Sequence, residues 1–71
     1  MMNIKGEIKY QSIGMGAWTL VSDTGEVYEL YKPPKEILED GLRVQVEGII
    51  RDDIMTIAML GKILEVTTHI T

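Results

Sequence analysis

Two stretches of this chain alternate apolar and polar residues so regularly that half-buried β-strands are the natural reading. In residues 3–11, Ile4, Gly6, Ile8 and Tyr10 fall on one side and Asn3, Lys5, Glu7, Lys9 and Gln11 on the other. In residues 42–51, Leu42, Val44, Val46, Gly48 and Ile50 alternate with Arg43, Gln45, Glu47, Ile49 and Arg51. Each stretch carries a glycine on its apolar side, where the missing side chain lets a long strand coil as a small barrel requires. Between them, Gly14-Met15-Gly16 breaks the first run, and residues 17–22 form a second strand with Trp18 and Leu20 on one face. Asp23-Thr24-Gly25 suits a hairpin turn whose glycine takes the left-handed conformation. Residues 27–31 then make a third strand, with Tyr28 and Leu30 inward toward Trp18 and Leu20, and Val27, Glu29 and Tyr31 outward.

Pro33-Pro34 stops the sheet. Pro34 in a first turn, Glu36 near the amino end and Gly41 as terminator predict a helix of about two turns over residues 34–40, with Ile37 and Leu38 on its apolar side. Asp52-Asp53 supplies a turn into a fifth strand over residues 55–67, bent at Gly61, with Ile57 and Met59 inward and the last few residues frayed. At 71 residues there is room for one core, so the expectation is a single domain spanning 1–71 with its ordered part at roughly 3–67. Three antiparallel strands, a short helix and two further strands are the element order of an all-β five-stranded Greek-key barrel, the OB-fold, whose helix plugs one end. An SH3-like barrel is the second choice, but it expects no helix at residues 34–40.

The pattern Gly6-x-Ile8, Gly16-x-Trp18-x-Leu20, Asp23-x-Gly25-x-x-Tyr28-x-Leu30, Pro34, Gly41-x-x-Val44 and Ile57-x-Met59-x-Gly61 resembles a group of small bacterial and archaeal OB-fold domains of uncharacterised function. The likeness covers nearly the whole chain. Its shared positions are core and turn residues, so it implies the fold and transfers no catalytic or ligand-binding residue.

Little in the chain suggests catalysis. A triad needs a nucleophile, a base and an orienting group, whereas the one histidine, His69, stands in the expected tail, far in sequence from Ser12 and Ser22. The chain is read as non-catalytic and without a cofactor. No metal site is expected: Asp52-Asp53 has a sufficient role as a turn, and Met15, Met55 and Met59 read as flexible core filler rather than copper ligands. Gly14-Met15-Gly16 lacks the spacing of a phosphate-binding loop. With no cysteine there is no disulfide or thiolate chemistry. The uncharged run of residues 12–22 is too short and Gly-rich to span a bilayer, and the first residues lack an apolar signal core; a soluble, cytoplasmic chain is expected.

Seven Lys and Arg against eleven Asp and Glu give a net charge of −4, which disfavours counterion-release binding to a phosphate backbone. On the first- and fourth-strand wall, Lys5, Glu7, Lys9, Arg43, Glu47 and Arg51 are mixed in sign and read as a solvated, cross-paired face. The wall of strands two, three and five is mainly uncharged, and Thr19, Val21, Val27, Tyr31, Ala58 and Leu60 form a candidate contact surface for a protein partner or a second copy. The alternative is single-stranded nucleic acid, with Tyr31 stacking on bases and Lys9, Lys32 and Lys62 on phosphates. The two loops that OB-folds lengthen to clasp oligonucleotides are both expected to be short, at residues 14–16 and 52–53.

Overall fold

The structure is a computed structural model and describes residues 2–56 and 60–70. Five strands close into a barrel in the order β1-β2-β3-β5-β4: β1 is Met2–Gln11, β2 Ala17–Ser22, β3 Val27–Tyr31, β4 Arg43–Ile50 and β5 Lys62–Ile70. β3 and β5 run parallel, and every other neighbouring pair is antiparallel. This is the five-stranded all-β barrel expected, OB-fold-like in its strand order.

Alternation decides which residues fill the barrel. Ile4, Ile8, Leu20, Tyr28, Leu30, Val44, Val46 and Leu64 form the core, joined by Ile37. Burying side chains of this size stabilises by about 1.5–3 kcal/mol each. Leu20 stands opposite Tyr28 across β2 and β3, as the hairpin at Asp23-Thr24-Gly25 requires, and Gly25 has φ +93°. The Tyr28 hydroxyl leaves the core to donate to Glu26 Oε2 at 2.8 Å, which holds the phenol above its ordinary pKa. Gly6 and Gly48 both lie inside, where a Cβ would run into the carbonyl oxygens of Val21 and Glu65 respectively. β4 also slips register against β5 between Glu47 and Gly48. Close backbone approach at these two corners is what lets the sheet close.

Four expectations are corrected. The helix over residues 34–40 is a single 3-10 turn, Lys35–Ile37, because two prolines and an early Gly41 leave too few residues to propagate an α-helix; Ile37 nevertheless plugs the core, fully buried. β5 begins at Lys62 rather than at residue 55, and Met55 is 85% exposed rather than core filler, while Ile57 and Met59 lie outside the described residues. The carboxyl end does not fray at residue 67: β5 continues to Ile70, pairing Val46 with His69 and Gln45 with Ile70. Tyr10 is on the inward side but 45% exposed, because it stands near the strand's end, edge-on to a half-buried Trp18 at 5.0 Å between ring centroids.

Candidate binding site

The later start of β5 changes the surface of the molecule. β4 ends at Ile50 and β5 begins at Lys62, so more than a tight turn at Asp52-Asp53 separates them; of the intervening chain, residues 51–56 and 60–61 are described. The short β4–β5 loop expected from sequence is thus corrected, whereas the β1–β2 loop, residues 12–16, is as brief as expected. Both ends of the longer connection are pinned. Arg51 N–H donates to Ile63 O at 2.8 Å, and its guanidinium forks onto Asp53 at 3.0 and 2.8 Å, reaches Glu65 and lies over the Tyr31 ring, 5.7 Å from its centroid. Hydrogen bonding to Arg51 holds the Asp53 carboxyl below its ordinary pKa, and the two carboxylates hold the guanidinium above its own. At the other end, Leu60 N–H donates to Glu29 Oε1 at 3.2 Å.

That second pin alters the expected contact surface. Glu29 points to the outside of the barrel by parity, yet it is only 6% exposed. Thr19, its partner across β2 and β3, is 0% exposed, with Oγ1 donating to Lys9 O at 2.9 Å, so it has no surface to offer a partner and leaves the candidate set. Val21, Tyr31 and Leu60 are half-buried, Val27 is exposed, and Ala58 lies outside the described residues.

Of the alternative phosphate contacts, Lys9 Nζ pairs with Glu7 at 3.1 Å, and Lys32 Nζ stands 5.4 Å from the Tyr31 ring centroid. The Tyr31 ring therefore carries a lysine and an arginine. Lys62 is exposed at the start of β5. Cross-strand pairing on the β1/β4 wall also takes another form: Arg43 forks onto Asp23 of the hairpin turn at 2.9 and 3.0 Å although Glu7 is its register partner.

A hollow of about 320 Å³ opens between the two loops, lined by Ile13, Gly14, Met15, Gly16, Ala17, Glu29 and Thr56. A smaller one of about 210 Å³ adjoins it through Thr56 and is lined by Ile54, Met55, Gly61 and Ile63. Met15 is 96% exposed because it sits between Gly14 at φ +61° and Gly16 at φ +89°. Among the described residues neither lining contains a lysine, arginine or histidine. Ile13, Met15, Met55 and Glu29 are the site residues that sequence reasoning missed. The available signal was Met15 itself, since an apolar residue between two glycines in a turn has no core to enter.

Ser22 Oγ is engaged with Thr24 Oγ1 at 2.8 Å and accepts from Glu26 N–H, a turn staple rather than a nucleophile arrangement. Among the described residues no group of three His, Cys, Asp or Glu side chains could hold a metal ion, and no helix is long and apolar enough to cross a membrane. Compared with models of known families, with curated proteins and with solved structures, the chain matches none.

Proposed function

We propose that this domain is a non-catalytic binding module that acts by contact with a protein, using the mouth between Met15 and Met55 together with the adjoining β2/β3/β5 wall. The observation that carries this reading is the exposure of those two methionines on loops that border adjacent hollows sharing Thr56. Apolar surface rimmed by polar groups gains free energy when a partner removes it from water, and unbranched methionines repack around differing shapes. Membership in the small bacterial and archaeal OB-fold group belongs to the same proposal; its shared core and turn positions supply the frame from which the loops project. Single-stranded nucleic acid has less support, because Tyr31 lies under two cations, Lys9 is paired and the net charge is −4.

The test is a benzoylphenylalanine cross-linker at position 15 of the full chain in cells, with the same probe at position 5 on the β1/β4 wall as control. A discrete cross-linked product from position 15, absent from position 5 and lost when Met55→Lys is added, supports the reading; a product of twice the chain's mass identifies a second copy. Equal products from both positions, or none from position 15, overturns it.

A further inference from the structure

The larger hollow is mainly apolar, with Glu29 and Thr56 the polar side chains among the described residues that line it. Ile13, Met15, Ala17 and two glycines make its walls, and Glu29 is the one charged residue among those lining it. The placement is unusual, because a strand residue on an uncharged outer wall is ordinarily a threonine or valine, and a carboxylate withdrawn from water is unfavourable unless donors or a cation compensate. Only 6% of Glu29 is exposed. Among the described residues its compensation is one backbone donor, Leu60 N–H to Oε1 at 3.2 Å. A carboxylate has about four lone-pair sites, so one donor leaves most of its capacity unused. No described side-chain oxygen is sealed from water without a hydrogen-bond partner. The second oxygen is therefore not sealed from water, and Glu29 is among the residues lining the hollow.

We infer that this hollow receives one basic side chain, a lysine or arginine, projecting from an otherwise apolar segment of a protein partner. The inference rests on the protein-contact reading and specifies what is recognised there. The cationic head would meet Glu29, and the aliphatic stem would lie against Ile13, Met15 and Ala17, as lysine and arginine stems do on apolar surfaces. Charge complementarity favours this occupant. The chain is acidic, no cation of its own lines the hollow, and Lys9, Arg43 and Arg51 are each committed to carboxylates elsewhere. A neutral apolar segment would fill the same space but leave the desolvated Glu29 with no more than its backbone donor, so the buried charge discriminates as well as attracts.

The experiment is a titration of the full-length domain, read by amide NMR, with two probes that differ by one charge. Acetyl-Leu-Lys-Leu-amide carries the ammonium, and acetyl-Leu-norleucine-Leu-amide replaces it with a methyl group. The lysine peptide is expected to move the amides of Met15, Gly16, Glu29 and Thr56 saturably, and to bind at least about tenfold more tightly than the norleucine peptide. Glu29→Gln keeps an amide oxygen for Leu60 N–H and removes the charge; in this variant the two peptides should bind alike. Equal binding of both peptides to the unaltered domain overturns the inference without reference to any variant. So does a retained lysine preference in Glu29→Gln, or the absence of saturable shifts at these amides. The cross-link from position 15 is read independently, so the charge can fail as the determinant while the contact reading stands.

Discussion

Gly48 and Gly6 show how a single absent side chain sets the shape of this domain. At Gly48 a Cβ would meet the Glu65 carbonyl and come within 3.0 Å of Leu64 Cδ1; at Gly6 it would strike the Val21 carbonyl and stand 2.8 Å from Ser22 Cα. In both cases the obstacle is backbone of the neighbouring strand, which cannot swing aside as a side-chain end can. Gly6→Ala and Gly48→Ala should each destabilise the domain by about 1–3 kcal/mol or more, measured by urea unfolding. Gly14 is the contrast, because it has φ +61° but open space around it, so Gly14→Asn should cost less than about 1 kcal/mol. Alanine at Gly6 or Gly48 with unchanged stability would refute the close-approach explanation. The alternation of residues 3–11 and 42–51 put both glycines inside from sequence. What it did not contain was the identity of the atoms they approach, which belong to strands far along the chain.

The element on which the proposed role depends is the connection of residues 51–61. Its first residues are tied to β5 and β3 by Arg51, whose guanidinium is shared between Asp53, Glu65 and the Tyr31 ring. Because Arg51 lowers the Asp53 pKa in the folded state, the folded value lies below the unfolded one. The stabilisation is therefore fully present above the ordinary aspartate range and is lost as pH falls through the lowered folded value. Asp53 is exposed and Arg51 half-buried, so the signature belongs to the titration more than to global stability. Carboxyl carbon NMR should place the Asp53 midpoint below the ordinary aspartate value, and Arg51→Gln should raise it. A midpoint that Arg51→Gln leaves in place would separate the loop from this clasp. From sequence, Asp52-Asp53 looked like a complete turn because the turn chemistry there is sufficient; nothing local reveals that Arg51 captures Asp53 or that β5 begins at Lys62.

At the scale of the whole molecule, the barrel measures 28 × 24 × 23 Å and is closed by two pairings between strands that are not consecutive in sequence, β1 with β4 and β3 with β5. One core serves every strand, and the 3-10 turn places Ile37 into it at zero exposure. Such a domain should unfold as one unit. Fluorescence of Trp18 and far-ultraviolet circular dichroism should report the same urea midpoint. Ile37→Ala should lower stability by about 2–5 kcal/mol without changing the denaturant slope, a large share of the few to fifteen or so kcal/mol such domains possess. Two separated transitions, or an indifferent Ile37→Ala, would mean that the plug is not part of the common core.

The sequence alone determined most of the inside of this protein: the polar and apolar alternation assigns Ile4, Ile8, Leu20, Tyr28, Val44 and Val46 to one face each, as a strand's two-residue period requires, but for the fifth strand it did not point to Leu64, which fills the core. It also determined the hairpin at Gly25, because few residues accept φ +93°. Only the tertiary structure decided what the outside presents. Parity placed Thr19 and Glu29 outward but does not reveal that both are buried, and it is Leu60, thirty-one residues on, that donates to Glu29. The same holds for Met15 and Met55: local pattern gives each a turn or strand address, and only closure of the barrel brings their loops to adjacent hollows.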